Sequence, residues 1–254
     1  MNYLTIDLET RSDIDISASG VYKYAESPNF DILLMSVSVD GGKVITYDLA
    51  YGDIIPVEII EALSDEKITK KAFNASFERV CLSAYVRRNY PNILENYFSP
   101  KGWQCDMIHA RYLGFPSSLD EVGKILKIRQ QKMEQGKALI KYFCTPNKNG
   151  IFNSSESDSD KWEQFKEYNK HDVEAEIEIQ KRLAPVPVPD FIWEEYWLSE
   201  QINDRGILID TDFAEQAINI NNSEKGRLMA EMKSLTGLSN PNSVVQMKKW
   251  LKNK

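Results

Sequence analysis

Residues 3–10 read Tyr-Leu-Thr-Ile-Asp-Leu-Glu-Thr (YLTIDLET), and the alternation of apolar and polar side chains over residues 3–8 predicts the first β-strand. Because successive side chains of a strand point to opposite faces, Asp7 and Glu9 share one face near the strand end. Two neighbouring carboxylates repel each other, and a cation between them removes that repulsion. An ordinary solvated strand end shows the same pattern, so this pair alone does not define a site.

Two later segments add further carboxylates. Residues 74–78 (NASFE) place Glu78 at the start of a predicted helix, directly after a predicted strand. Residues 168–172 (YNKHD) place Tyr168 and Asp172 one helical turn apart, so that both project from one face. Magnesium prefers oxygen ligands and usually keeps several waters, so a few carboxylates suffice to bind it. The ordered set of three segments therefore indicates a metal site.

The rest of the pattern predicts an α/β fold in which helices pack on a mixed sheet. Asp40-Gly41-Gly42 is a hairpin turn signal between two apolar runs. The predicted strands are 3–8, 31–39, 43–49 and 67–73, and the predicted helices are 56–63, 75–88, 119–126, 136–143 and 160–182.

Three alternating prolines in residues 183–190 (LAPVPVPD) favour an extended connector and mark a domain boundary. We expect one domain over residues 1–184 and a small, mostly helical appendage over 185–254. Within the appendage the sequence predicts a helix at 191–202, a turn at 203–206, a short strand at 207–209 and a helix at 211–234.

Composition leaves the class of partner open. The formal net charge of the 254 residues is -7, whereas passive nucleic-acid binders are usually basic. Bound divalent cations would supply positive charge at a substrate phosphate and weaken this objection. The sequence predicts no membrane-spanning helix, and its acidic start and three widely spaced cysteines lead us to expect a cytoplasmic protein.

The three carboxylate segments resemble the motifs of DEDD-superfamily 3′→5′ exonucleases of the tyrosine-containing branch. The chain is most similar to the proofreading domain of phage-type family A DNA polymerases, and residues 202–210 and 235–243 resemble the start of the polymerase region in those enzymes. The resemblance implies a ribonuclease H-like fold over residues 1–184. It also implies the cytoplasm of a bacterial or phage-infected cell.

The resemblance implies two divalent cations, Mg²⁺ or Mn²⁺, and single-stranded DNA 3′ ends as substrate. Asp7 would bridge the cations, Glu9 and Asp172 would hold the one that activates water, and Glu78 would act on the other. Tyr168 would orient the attacking water. The residues expected to contact the terminal nucleotide are Leu8, Thr10, Asn74 and Phe77.

Glu78 departs from the pattern, because most of the superfamily has Asp there. Its longer side chain could reach a metal directly, act through water, or leave the second site weakly held. Lys132 and Lys137 are candidates for phosphate contacts or for an ordinary solvated helix face.

Nothing in the 254 residues resembles a polymerase palm or fingers, so we expect any polymerase portion to be a separate or missing partner. Two alternative functions remain open. One is an RNA-trimming exonuclease of the same superfamily, and the other is a non-catalytic DNA-binding module.

Overall fold

A computed structural model describes residues 1–129 and 136–253. A five-stranded sheet lies at its centre, in the order β3-β2-β1-β4-β5. The strands are β1 (Tyr3–Arg11), β2 (Asp31–Val39), β3 (Ile45–Asp48), β4 (Thr69–Ala72) and β5 (Trp103–Cys105). The β1–β2 and β2–β3 pairs are antiparallel, whereas β1–β4 and β4–β5 are parallel. This order is that of a ribonuclease H-like fold and confirms the predicted fold class.

The hairpin predicted around Asp40 follows β2. Asp40 and Gly41 both have positive φ angles, 49° and 69°, which aspartate and glycine tolerate better than most residues. The Asp40 carboxylate also accepts hydrogen bonds from the backbone amides of Asn2 and Tyr3, at 2.7 and 2.9 Å. The turn therefore holds the start of β1 in register beside β2.

Helices separate and follow the strands, and the longest of those before the prolines has 25 residues. They are α1 (Ile16–Glu26), α2 (Val57–Ser64), α3 (Ala75–Asn89), α4 (Asp106–Tyr112), α5 (Leu119–Leu126), α6 (Gly136–Cys144) and α7 (Ser159–Leu183). Every helix predicted before residue 184 is present within a few residues of its expected bounds. The predicted elements did not include α1, α4 or the three-residue β5.

Helix α7 carries the third carboxylate segment across the sheet. It begins where the Asp158 side chain accepts a hydrogen bond from the amide of Lys161, which satisfies one of the free donors at a helix start. Its buried face, which includes Trp162, Phe165 and Val173, packs against β1 and β2. The side chains of α7 therefore meet those of the central strand.

Helix α8 (Asp190–Arg205) follows the prolines and contacts β5 and α3. The indole of Trp197 donates a hydrogen bond to the carbonyl of Trp103, at 2.8 Å, and Arg79 on α3 forms ion pairs with Glu200 and Asp204. The first of two compact units accordingly runs from Met1 to Asp204. The predicted division between residues 184 and 185 stays a prediction.

The second unit, Arg205–Lys254, contains α9 (Thr211–Thr236) and α10 (Val244–Lys252), as expected for a mostly helical appendage. Two local predictions were wrong. The turn predicted at 203–206 begins later, because α8 continues to Arg205. The apolar residues 207–209 are exposed and form no strand, since no described strand lies beside them to complete the hydrogen bonds.

No helix in the described part of the chain is both long and apolar enough to cross a membrane.

Candidate metal centre

The structure brings together the carboxylates of Asp7, Glu9 and Asp172. One oxygen from each lies within 4.8 Å of the others. Asp7 and Glu9 lie two residues apart on β1, and Asp172 reaches them from α7, which crosses the strand. Glu9 and Asp172 are buried, and Asp7 is half-buried. A set made only of carboxylate oxygens is the donor chemistry that Mg²⁺ and Mn²⁺ prefer.

Asn169 fixes the orientation of Asp7, a contact that the sequence motifs did not reveal. Its side-chain amide donates a hydrogen bond of 2.6 Å to Oδ2 of Asp7. Asn169 is fully buried on α7, next to Tyr168. The amide constrains the Asp7 carboxylate without adding charge to the site.

Tyr168 lies one turn before Asp172 and is almost fully buried. Burial, the charges of Asp172 and Glu9, and a hydrogen bond to Asp172 raise the pKa of the phenol above its usual value. The phenol therefore keeps its proton at neutral pH and is a hydrogen-bond donor. This protonation state fits the orienting role expected for Tyr168.

Two neighbours fix the ring of Tyr168. It stacks on Phe165 with a centroid distance of 6.4 Å, and the first residue of α6, Gly136, packs against its edge. A Cβ at position 136 would come within 2.2 Å of the ring, so glycine is required for this close approach. The start of α6 thus helps to position the phenol.

Glu78 lies in the first turn of α3 and is 4% exposed. Burial and the charge of Asp7 raise the pKa of its carboxyl well above the usual range. Its Oε2 atom has no hydrogen-bond partner among the described residues. Glu78 is near enough to Asp7 to respond to its charge, but it stands outside the group formed by Asp7, Glu9 and Asp172.

A cavity of about 560 Å³ opens beside the carboxylates. Its lining includes Glu9 and three of the expected nucleotide-binding residues, Leu8, Thr10 and Phe77. The fourth, Asn74, is exposed and does not line this cavity. Its left-handed backbone, with φ of 87° and ψ of 47°, instead turns the chain from β4 into α3.

Of the two candidate phosphate-binding lysines, Lys137 is exposed on α6, and Lys132 lies outside the described residues.

Glu176 and Asp106 extend the acidic cluster into the interior. Glu176 follows Asp172 by four residues on α7, so the i, i+4 spacing that linked Tyr168 to Asp172 also points to it. Asp106 accepts a hydrogen bond of 2.6 Å from the side-chain amide of Gln180. Burial raises the pKa of Asp106 to about 7, although the Gln180 hydrogen bond and the charge of Lys71 act in the opposite direction.

Comparison with known proteins gives one strong relationship in sequence. No protein-family model matches the chain. The chain is 43% identical to the DNA polymerase of Bacillus phage SP02 over 263 aligned residues, which include 100% of this chain and 39% of that polymerase. The chain thus spans well under half the length of this relative.

Solved structures resemble the chain only at low identity. A nuclease in its apo form has 14% identity and a TM-score of 0.45, over 79% of this chain and 80% of that chain. NrnC of Brucella melitensis bound to pGG has 13% identity and a TM-score of 0.44, over 79% and 80% of the two chains. NrnC with bound Mg²⁺ has 13% identity and a TM-score of 0.43, over 79% and 81%. In sequence, the chain is similar over its whole length to part of a phage DNA polymerase.

Proposed function

We propose that the chain is a metal-dependent 3′→5′ exonuclease that releases nucleoside monophosphates from the 3′ ends of single-stranded DNA. The observation that carries the proposal is the meeting of Asp7, Glu9 and Asp172 within 4.8 Å, with the protonated Tyr168 beside Asp172. We assign the activity to the compact unit Met1–Asp204, which includes the predicted domain 1–184.

The relative supports a role in proofreading. It is a phage DNA polymerase, and the segment that matches this chain is 39% of its length. A polymerase that carries a nuclease for 3′ ends can remove a misincorporated nucleotide. The partner that this role requires is a polymerase portion acting on the same DNA end.

The donor set fits divalent cations. Asp7, Glu9 and Asp172 would hold one cation, and Glu78 would contribute to the second. When bound, such ions lower the pKa of a coordinated water and neutralise charge that develops on the phosphate. They would also offset the net charge of -7, which by itself repels DNA.

Side chains of the protein orient the attacking water, the Asp7 carboxylate and the terminal base. The phenol of Tyr168 hydrogen-bonds the attacking water, and because the phenol keeps its own proton, the water's proton leaves to another acceptor. Asn169 keeps Asp7 in one orientation. Phe77 and Leu8 line the adjacent cavity and offer an apolar surface on which a terminal base can stack. Hydrolysis then breaks the phosphorus–O3′ bond and leaves a DNA one nucleotide shorter.

The test uses a 5′-labelled single-stranded DNA, a matching RNA and a circular DNA, each with Mg²⁺ or Mn²⁺ and with EDTA. We expect metal-dependent shortening of linear DNA by single nucleotides and no cleavage of the circle. Asp172→Asn should lower the rate on the order of 1000-fold, whereas Glu174→Gln, on the same helix but outside the cluster, should not.

The other outcomes separate the alternatives. A clear preference for RNA would identify an RNA-trimming enzyme. DNA binding without cleavage under any metal condition would indicate a non-catalytic module, and the proposed activity would then be wrong.

A further inference from the structure

Glu176 is a carboxylate whose two oxygens have different surroundings. The residue is 1% exposed and lies on the same face of α7 as Asp172. Its Oε1 atom accepts a hydrogen bond of 2.5 Å from the backbone amide of Phe73, at the end of β4. Its Oε2 atom has no hydrogen-bond partner within the described residues. A buried polar atom without a partner costs free energy, so this oxygen requires an explanation.

The surroundings of Glu176 are negatively charged. Burial first, and then the charges of Asp106, Asp7 and Glu78, raise the pKa of Glu176 well above its usual range. Glu78 likewise has an unpartnered, buried Oε2 atom and responds to the charge of Asp7. Both unsatisfied oxygens belong to carboxylates near the junction of β4 and α3, because Glu78 lies in the first turn of α3 and Glu176 contacts the amide of Phe73.

A second cation explains both unsatisfied oxygens. Carboxylates buried close together need either protons or a positive ion between them. Among the described residues, neither Glu78 nor Glu176 belongs to a group of three carboxylates with oxygens within 4.8 Å of one another, so both would act on a second ion through its bound waters. Because Mg²⁺ usually keeps several waters, carboxylates can act on it through a bound water as well as directly.

We propose that Glu176 is a fifth carboxylate of the metal centre and that, together with Glu78, it acts through bound waters on the second divalent cation beside Asp7. The inference rests on the proposed nuclease function and extends it, because the exonuclease motifs contain no residue at this position. It also compensates for the departure at Glu78, since an added carboxylate strengthens a second site that Glu78 alone would hold less well.

The hydrogen bond to Phe73 gives Glu176 a positioning role as well. Phe73 immediately precedes Asn74, where the chain turns into α3, and Glu78 lies in the first turn of that helix. Oε1 therefore ties α7, which carries Asp172, to the junction that places Glu78. A variant that separates the two roles must keep this hydrogen bond while it removes the charge.

Glu176→Gln makes that separation. The amide oxygen still accepts the hydrogen bond from Phe73, whereas the other oxygen becomes an uncharged amide nitrogen that cannot bind a cation. The measurement is the number and affinity of Mn²⁺ ions bound by the EDTA-treated full chain, by calorimetry and without DNA. Glu174→Gln is the matched control, because Glu174 lies on α7 and pairs with His171 instead.

We expect two Mn²⁺ ions in the wild type and in Glu174→Gln, and a second ion bound about 10- to 100-fold more weakly in Glu176→Gln. Equal binding of two ions by Glu176→Gln and the wild type would overturn the inference, as would a single ion in the wild type. If Glu176→Gln does not fold, Glu176→Asp serves instead, with a weaker second ion expected and unchanged binding again overturning the inference.

Metal binding and cleavage are read separately. A wild type that binds two ions but cuts no DNA would remove the proposed function and leave the second cation site in place. If the wild type cuts DNA but Glu176→Gln still binds two ions normally, the proposed function stands and the role of Glu176 is wrong.

Discussion

Glu78 and Arg79 are neighbours on α3, and the fold treats their charges in opposite ways. Arg79 is fully buried and donates hydrogen bonds of 2.8 Å to Glu200 and to both carboxylate oxygens of Asp204 on α8. Glu78 is buried to a similar degree, yet its Oε2 atom has no partner and its carboxylate forms no ion pair within the described residues. One region pairs its charges within the chain, and the other does not.

This difference distinguishes buried charges that stabilise the fold from buried charges that are available for chemistry. A buried charge is costly unless an opposite charge and hydrogen bonds compensate for it. In the Arg79 region the compensation is internal, so the charges fix how helices pack. In the Glu78 and Glu176 region, burial and then the charges of neighbouring carboxylates raise the pKa values of both residues, and the compensation must come from protons or ions in solution. Perturbed groups of this kind are typical of functional sites.

The paired region also has a consequence for the site. Glu200 accepts a hydrogen bond from the hydroxyl of Ser76 as well as from Arg79. Ser76 and Arg79 flank Glu78 in the first turn of α3. Helix α8, although it follows the proline connector, therefore holds the turn that carries Glu78, and we expect the proposed exonuclease activity to need residues beyond 184.

The largest expected loss of stability follows from removing Arg79, because this change breaks the ion pairs between α3 and α8. Arg79→Ala leaves Glu200 buried without its cation, and we expect the free energy of unfolding to fall by about 3–5 kcal/mol. Arg87→Ala is the control, because its ion pair with Glu26 is partly open to solvent and should contribute about 0–1 kcal/mol. Urea unfolding monitored by circular dichroism measures both. Equal losses would show that the Arg79 ion pairs carry no special weight.

The buried carboxylates that lack an ion pair should make the stability of the protein depend on pH, and Asp106 provides the test. In the folded state the pKa of Asp106 is about 7, whereas an unfolded aspartate has a pKa of about 3.9. Between these values the folded protein holds a proton that the unfolded chain has released, so stability falls as pH rises. The slope contributed by Asp106 is at most about 1.4 kcal/mol per pH unit.

The measurement is the melting temperature of EDTA-treated protein from about pH 5 to about pH 8, where the exposed aspartates with lowered pKa values are already ionised. Gln180, Lys71 and Glu176 are the groups that act on Asp106, and all are retained in Asp106→Asn. We expect this variant to show a shallower decline. An unchanged slope would remove Asp106 as its source.

The fold was largely predictable from local pattern. The alternation in β1, the turn at Asp40-Gly41 and the helical spacing of α7 are each encoded within a few residues. Residues 207–209 show the limit of such inference, because an apolar triplet becomes a strand only beside a partner strand. Helix α1 was missed because it contains Gly20, whose positive φ interrupts the helical pattern.

The site was predictable where its residues fall into spaced motifs. Asp7, Glu9 and Asp172 were identified in this way, and the structure places their oxygens together. Asn169 and Glu176 were missed because their contacts, with Asp7 and with the amide of Phe73, arise only when α7 packs across β1 and the end of β4. Spacing predicts which residues share a face, and packing decides what that face meets.

The most direct test of the proposed metal-dependent exonuclease activity is a titration of Mn²⁺ into EDTA-treated protein with a 5′-labelled single-stranded DNA. We predict no cleavage without metal and a saturable gain of single-nucleotide shortening in the wild type. Asp7→Asn, which keeps the size of the side chain but removes its charge, should remain on the order of 1000-fold slower at every Mn²⁺ concentration. Shortening that persists in EDTA, or an Asp7→Asn variant as fast as the wild type, would contradict the account.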